Sequence, residues 1–287
     1  MKSKNVSDAD KIMIKKTIST VLEKSMFSQK DPWQWISADF ADEFEELRKD
    51  PRNFSLDGPG EIIWQTRNKY VLLLTTSAGR KIIYKTTPVV KRGYQYFHRR
   101  SPFANEAWYF QYFAQLGLPM AKLLAAGDTR KNFLLKGGFL ISEFAEGFKQ
   151  GNELTHPGKP DFDPLLRDEY IRKNLTNLAL LHDRRILHRG ATPANFLFRS
   201  GENGLELTWI DVATSHYKPF FYRMKPGIIM DLANFFRFFP FSEQERRPYI
   251  EYYLSCAERH YFSAGELSRS VERCIRGHYG TTLSRLK

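Results

Sequence analysis

A histidine, an arginine and an asparagine lie in one short segment whose side chains could carry chemistry. His188 and Arg189 begin the segment, and Asn195 follows His188 by seven residues, directly before an apolar run. A further acid, Asp211, comes after a second short apolar run, where a predicted strand ends. Alone, Asp211 is more simply a turn residue. Together, its carboxylate and the amide oxygen of Asn195 would supply oxygen ligands of the kind that a hard dication needs.

A lysine and a glutamate in the first half of the chain form a second candidate pair. Lys85 follows the β-rich run 81–84, and Glu106 lies near the start of the next predicted helix, where an acid complements the helix dipole. Either residue alone has the simpler interpretation of a solvated surface charge. Lys81 and Lys91 are rival lysines, but Lys81 begins its strand and Lys91 lies in a basic loop. Glu106 is the candidate ion-pair partner of Lys85.

The elements that must position these residues change in type along the chain. The predicted strands span 61–65, 70–76, 81–86, 120–126 and 133–144. The predicted helices span 102–115, 165–183 and 228–238, and two more lie in 243–287. Short polar turns join the first three strands, which indicates an antiparallel meander.

These patterns predict three parts. Residues 1–50 form an N-terminal helical extension, in which Ile12, Ile14, Ile18 and Leu22 mark the apolar positions. Residues 51–148 form a small β-rich domain, and residues 149–287 form a larger helical domain that begins with a Gly- and Pro-containing linker. No internal repeat is visible, which excludes solenoids and propellers.

The order of these elements resembles the two-lobed protein-kinase fold, an α+β fold with a small antiparallel β-rich N-lobe and a larger helical C-lobe. The 188–195 segment is similar to the catalytic loop of that fold, and Asp231 is similar to the acid that anchors this loop from below. Few residues separate Asp211 from Asp231 and no Ala-Pro-Glu follows, so a peptide-docking platform is not expected. The chain instead resembles the lipopolysaccharide core kinases, the Kdo and heptose kinases, over about residues 60–240.

This resemblance implies ATP and Mg²⁺ as cofactors and phosphoryl transfer to a sugar hydroxyl of a lipid-anchored core. It implies a catalytic set of Lys85, Glu106, His188, Arg189, Asn195 and Asp211. It implies cofactor binding by Lys85, Glu143, Glu146, Asn195 and Asp211, with the adenine against the backbone near Glu143 and Glu146 and with the metal on Asn195 and Asp211. The expected location is the cytoplasmic face of the inner membrane, as a cytoplasmic or peripheral protein.

One departure from the pattern concerns the catalytic base. Kinases place an aspartate two residues after the histidine of the loop, but this chain has Gly190 there. Glycine can neither orient an acceptor hydroxyl nor take its proton, and loss of a general base slows a reaction by about 10²–10⁴-fold. Asp183 lies on the wrong side of the loop to replace it. ATP binding is therefore better supported than phosphoryl transfer, and a nucleotide-binding pseudokinase that regulates a protein partner is the alternative.

Charge and cysteine content limit the partners. The sequence carries 44 Lys and Arg against 32 Asp and Glu, a net charge of +12, which favours an anionic partner. Three partners fit that charge: an anionic glycolipid such as a lipopolysaccharide core precursor, an anionic membrane surface, and nucleic acid. The charge is also consistent with a basic protein that has no anionic partner. Nucleic acid is disfavoured because the aromatic residues mostly have the helical spacing of a core. Cys256 and Cys274 lack metal-ligand spacing.

Overall fold

The computed structural model describes residues 33–49, 61–66, 69–87, 90, 92–97, 99–201, 204–220, 222 and 224–284. The chain divides into two compact units. The first comprises Met1–Tyr112 and Ala121–Ala145, and the second comprises Phe113–Met120 and Glu146–Lys287. The helical segment predicted around Ile12 and Leu22 lies outside the described residues.

The first unit is built on a six-stranded antiparallel sheet with the order β1-β5-β6-β4-β3-β2. Its strands are β1 (Trp33–Ile36), β2 (Glu61–Thr66), β3 (Lys69–Thr75), β4 (Lys81–Thr87), β5 (Leu123–Lys131) and β6 (Leu134–Glu143). Its helices are α1 (Ala41–Lys49) and α2 (Pro102–Gln115), the last residues of which belong to the second unit. The register of β2, β3 and β4 confirms the predicted meander.

Residues 33–49 correct the prediction of a separate helical extension at 1–50. β1 pairs with β5 in antiparallel register, with Trp35 opposite Ala126, so this segment extends the sheet. Helix α1 then covers one sheet face, where Phe44 stacks on Phe139 with ring centroids 5.9 Å apart. The local pattern did not reveal the strand because its hydrogen-bond partner lies about ninety residues later in the chain.

The core of the first unit determines which face of β4 can carry chemistry. Ile82 and Tyr84 are fully buried in a cluster with Phe139, while Lys85 is only partly buried. Successive side chains of a strand point to opposite faces, so burial of Tyr84 directs Lys85 away from this cluster. The alternation in the sequence thus sets the direction of the lysine.

The second unit is mainly helical. Its helices are α3 (Pro164–Asp183), α4 (Met224–Phe236), α5 (Glu243–Cys256) and α6 (Ala264–Ser284). Its strands are short: β7 (Lys149–Gln150), β8 (Ile186–Leu187), β9 (Phe196–Gly201), β10 (Gly204–Trp209) and β11 (His216–Tyr217). The predicted linker at 150–164 contains a 3-10 helix, Gly151–Leu154. No helix in the described parts of the chain is long and apolar enough to cross a membrane.

Helix ends in this unit follow local signals. Asp163 caps α3 by accepting from the backbone N–H groups of Leu165 and Leu166 at 2.7 and 3.0 Å. Ser242 and Glu245 form a capping box at the start of α5. The predicted helix at 165–183 is confirmed, and the one predicted at 228–238 occupies Met224–Phe236.

Candidate functional site

The Lys85–Glu106 ion pair is present in the first unit. The Nζ atom of Lys85 lies 2.6 Å from Oε1 of Glu106. The Glu106 side chain is 7% exposed and the Lys85 side chain 23% exposed, so the carboxylate is nearly buried while the ammonium keeps some access to solvent. Glu106 is the fifth residue of α2 rather than part of the first turn, because the helix begins at Pro102 and Ser101 caps it. The pairing prediction is confirmed.

The two acids predicted near the adenine fall in different units. Glu143 ends β6, and its backbone N–H donates to the carbonyl of Lys122 at 2.9 Å. The N–H of the next residue, Phe144, donates to the carbonyl of Lys81 at 3.1 Å. These two donors are therefore already used within the first unit. Glu146 is exposed and belongs to the second unit.

In the second unit, a buried aspartate holds the start of the 188–195 loop. The side chain of Asp231, in α4, is fully buried. Its Oδ2 accepts from the backbone N–H of His188 at 2.8 Å, and its Oδ1 accepts from that of Arg189 at 2.6 Å. Arg189 has φ +61°, a left-handed conformation that costs energy for a residue with a side chain. The predicted anchoring role of Asp231 is confirmed, and its two bonds offset the strain at Arg189.

A second buried layer supports this aspartate. Nε2 of His182 lies 3.3 Å from Oδ2 of Asp231, and Nδ1 of His182 lies 2.7 Å from the hydroxyl of Tyr253. Burial raises the pKa of Tyr253 well above its ordinary value, so the phenol stays protonated and its O–H donates a hydrogen bond to Nδ1 of His182. His182 then donates from Nε2 to the carboxylate. The loop is thus tied through α4 to α3 and α5.

Gly190 lies where the resemblance to kinases predicts a catalytic base, and its carbonyl and the loop carbonyl beside it are hydrogen-bonded. Nδ2 of Asn195 donates to the carbonyl of Gly190 at 2.9 Å, and the hydroxyl of Thr214 donates to the carbonyl of His188 at 3.1 Å. A Cβ atom added at Gly190 would lie 3.1 Å from Oγ1 of Thr214 and 3.6 Å from Nδ2 of Asn195. The backbone of Gly190 is not left-handed, so a side chain needs only a small movement of Thr214.

Asn195 and Asp211 are brought together by the backbone. The N–H of Ile210 donates to the carbonyl of Asn195 at 2.9 Å, and Asp211 follows directly with φ +57°. Because Nδ2 of Asn195 is used by Gly190, its Oδ1 atom is the acceptor available to a cation. No group of three or more His, Cys, Asp or Glu side chains among the described residues could hold a metal ion. One carboxylate and one amide oxygen suit Mg²⁺, which takes one or two protein oxygens together with phosphates.

His188 packs as a neutral core residue. Its ring is fully buried, 5.2 Å from the ring of Phe196 and 5.4 Å from that of Trp209. Burial lowers the pKa of His188. Its Nδ1 atom accepts a long bond of 3.3 Å from the backbone N–H of Gly190, while its Nε2 atom is buried and has no hydrogen-bond partner among the described residues. The ring of His188 therefore belongs to the buried core and contacts the loop at Gly190, whereas the side chain of Arg189 is exposed.

The carboxylate of Asp183 binds backbone N–H groups outside the 188–195 loop. Its two carboxylate oxygens each accept from a backbone N–H, those of Glu258 and Arg259, both at 2.9 Å. It therefore fixes the connection between α5 and α6. Sequence reasoning missed both this contact and the contact of Thr214 with the loop. The only signal for Thr214 is its position three residues after Asp211, and that spacing has no meaning without the fold.

Comparison with solved structures shows a fold like that of a known protein. A solved structure of WaaP in complex with acyl carrier protein aligns with a TM-score of 0.59 and 14% identity, over 86% of this chain and 99% of the WaaP chain. The fold is kinase-like. This confirms the predicted α+β class with its antiparallel β-rich part and its helical part. No protein-family model matches the sequence, and comparison with curated proteins gives no match.

Proposed function

We propose that the chain is a lipopolysaccharide-kinase-like protein that binds Mg-ATP and transfers its γ-phosphate slowly to a sugar hydroxyl of a core glycolipid. The observation that carries this proposal is the loop anchored by Asp231, in which Asn195 and Asp211 are neighbours through the Asn195–Ile210 backbone bond. The kinase-like fold and the likeness to WaaP support it.

Each retained residue has a role in this proposal. Lys85, held by Glu106, pairs with the phosphates of ATP. Oδ1 of Asn195 and the carboxylate of Asp211 hold Mg²⁺, which neutralises charge on the phosphates when it is bound. Asp231 and His188 keep the loop in shape, so the positions of Asn195 and Arg189 are set before a ligand binds.

The residue at 190 limits the reaction in the same proposal. Without a carboxylate there, no side chain of the loop accepts the proton of the acceptor hydroxyl in the transition state. Positioning and electrostatic stabilisation remain, and these supply most of the catalysis of phosphoryl transfer. We expect binding of Mg-ATP with a transfer rate reduced by about 10²–10⁴-fold relative to a chain with the base.

Calorimetric titration with Mg-ATP tests the nucleotide site. We expect binding by the unaltered protein, and we expect Lys85→Met and Asp211→Asn each to weaken it by about tenfold or more, since each removes a charge-assisted contact. Lys81→Met is the matched control, because Lys81 is an exposed lysine of the same strand. An unaltered affinity in all three variants would overturn the assignment of both residues.

Transfer is tested separately, with γ-labelled ATP, Mg²⁺ and a phosphorylated core glycolipid in detergent. Slow label transfer to the glycolipid that disappears in Asp211→Asn supports the proposal.

The net charge of +12 favours such an anionic acceptor, or the anionic membrane in which it lies. Co-sedimentation with vesicles that contain or lack an anionic lipid tests the membrane contact, and equal pelleting in both contradicts it.

A pseudokinase that acts on a protein partner is the second candidate, and Gly190 is the observation that favours it. This candidate predicts Mg-ATP binding with no transfer to any acceptor. WaaP was solved with acyl carrier protein, so that protein is the first partner to test, by titration with and without Mg-ATP. Binding that depends on the nucleotide, in the absence of turnover, favours the pseudokinase over the slow kinase.

A further inference from the structure

A pocket lies within the first unit, and its lining includes none of the residues assigned above. Its volume is about 540 Å³, within the range of small-molecule sites. One wall is a stripe of α2 made by Ala104, Ala107, Trp108 and Gln111, which recur at helical spacing. Because two of these residues are alanines, the stripe leaves space above the helix. Residues of β1, of β5 and of the segment before α2 complete the lining.

Arg130 uses its guanidinium donors in hydrogen bonds within the protein and so fixes one side of the pocket. Asp128 of β5 is almost fully buried, and Arg130 donates to both of its carboxylate oxygens, at 3.2 and 3.4 Å. The remaining donors of Arg130 reach the backbone carbonyls of Tyr96, Phe133 and Arg99, at 3.0 to 3.5 Å. Arg130 therefore ties the segment before α2 to the sheet, and the only carboxylate in the lining is already neutralised.

Two further arginines of the lining carry charge that nothing in the described residues neutralises. Arg99 and Arg100 are both exposed, and neither makes an ion pair with a described carboxylate. The guanidinium of Arg100 lies over the ring of Trp108, 5.1 Å from its centroid, and Trp108 is itself stacked on Tyr112. This stacking limits the rotamers of Arg100. The N-terminal end of α2, capped by Ser101, borders the same pocket and adds to the positive potential.

The other lining groups suit a ring that carries hydroxyls. Trp35 of β1 is half-buried and presents an aromatic surface, and the carboxamide of Gln111 can both donate and accept. An indole with an apolar body and a polar tip, beside an amide, binds the mixed apolar and hydroxylated faces of a sugar. We propose that this pocket binds a phosphorylated saccharide, with the phosphate ester at Arg99 and Arg100 and the sugar ring against Trp35.

This inference goes beyond the proposed function, because none of its residues belongs to the Mg-ATP set. Its failure and that of the proposed function are distinguishable, since the pocket is tested without Mg²⁺ or ATP. The phosphate ester could belong to a free sugar phosphate or to the headgroup of a phosphorylated glycolipid. The same guanidinium chemistry recognises both, so the experiment has one arm for each source.

The experiment is calorimetric titration of the full chain with glucose 6-phosphate, glucose and inorganic phosphate, and with monophosphoryl lipid A in detergent micelles. We expect glucose 6-phosphate or the lipid to bind more tightly than inorganic phosphate, and we expect glucose to bind least. Preference for the lipid over glucose 6-phosphate identifies a glycolipid headgroup as the source, and the reverse preference identifies a free sugar phosphate.

Variants separate the pocket from bulk charge. We expect R99Q/R100Q to weaken binding by about tenfold or more, because charge-assisted hydrogen bonds are lost. We expect A104L to block the pocket by filling it, with no change of charge and with a good helix former in place. R92Q is the matched control, since Arg92 is an exposed arginine of the same segment outside the lining. Mg-ATP affinity remains unchanged in all three.

Three outcomes overturn the inference. The first is equal affinity for inorganic phosphate and for both phosphorylated sugars, which would leave no role for the ring. The second is an equal loss in R92Q and R99Q/R100Q, which would show a nonspecific charge effect. The third is unaltered binding in A104L in a protein whose thermal unfolding is like that of the original chain.

Discussion

The Lys85–Glu106 pair and the 188–195 loop match the kinase pattern to different extents. The pair retains both of its chemical groups, with the carboxylate nearly buried and the ammonium 2.6 Å away. The loop has the expected support, a buried aspartate with bonds to the backbone of His188 and Arg189, but Gly190 stands where the resemblance to kinases predicts an aspartate.

This difference shows that the hydrogen bonds that shape the 188–195 loop do not depend on the side chain at position 190. The bonds that shape the loop end on backbone atoms and on Asp231, so they persist when the side chain at 190 is absent. Their persistence has its own physical cause, because a buried carboxylate without its hydrogen bonds would destabilise the fold. An ordered 188–195 loop is therefore weak evidence for phosphoryl transfer. The Lys85–Glu106 ion pair is direct evidence only that the lysine side chain is held in place.

Restoring the base has the largest expected effect on this contrast. Gly190→Asp should raise the rate of label transfer to the core glycolipid by about 10²-fold or more, because the new carboxylate can orient the hydroxyl and take its proton. The rate is measured with γ-labelled ATP at saturating acceptor. Thr214 must yield slightly, since its Oγ1 atom lies 3.1 Å from the added Cβ.

The double variant Gly190→Asp/Thr214→Ala provides the matched comparison for that steric limit. A faster reaction in the double variant alone shows that Thr214 obstructs the side chain. If neither variant exceeds the original chain while both bind Mg-ATP, the missing base is not the defect and the pseudokinase is favoured.

Removing the carboxylate of Asp231 should destabilise the 188–195 loop. Asp231→Ala leaves the N–H groups of His188 and Arg189 without their acceptor, in a buried site. We expect the free energy of unfolding to fall by about 3 kcal/mol or more. Urea unfolding followed by far-UV circular dichroism measures it. Glu251→Ala, at an exposed helix position, should change it by less than about 0.5 kcal/mol, and equal losses would contradict the anchoring role.

Weakening the pair should have a smaller effect, visible in binding. Glu106→Gln removes the charge that holds Lys85, so Mg-ATP affinity should fall by about tenfold, as measured by calorimetry. Glu61→Gln, an exposed carboxylate of β2, should leave the affinity unchanged. Equal affinities in the two variants would show that the ion pair plays no part in nucleotide binding.

The smallest effect concerns pH and the buried imidazole of the loop. Burial lowers the pKa of His188 below its usual 6.5. As the pH falls, the unfolded chain therefore binds a proton at this imidazole before the folded chain does, which favours unfolding. Stability is therefore present above about pH 6.5 and is lost below it, at up to about 1.4 kcal/mol per pH unit. The pKa of His216 is lowered as well and acts in the same direction.

Thermal unfolding between pH 7 and pH 5 tests this sign. His188→Gln should reduce the decrease in Tm over that interval, even though the variant is less stable throughout. His260→Gln, an exposed imidazole, is the control that should leave the slope unchanged. A slope that is the same in His188→Gln as in the original chain contradicts the assignment.

Several elements could be predicted because the information is local. The β-rich run 81–84 predicted the strand that carries Lys85, and the helical spacing after Pro102 predicted α2 with Glu106 near its start. The pairing of Lys85 with Glu106 came from the resemblance to kinases. The anchoring role of Asp231 came from the resemblance to kinases rather than from any local pattern.

By itself, the sequence determined which side chains are available: a lysine and a glutamate at positions that can pair, an asparagine and an aspartate after apolar runs, and no carboxylate at 190. Only the tertiary structure decided how they are used. It joined β1 to β5, committed Asp183 to the backbone at Glu258 and Arg259, and placed Thr214 against Gly190. Periodicity reports which face of an element is apolar, whereas these contacts join residues far apart in the chain and exist only once that chain has packed.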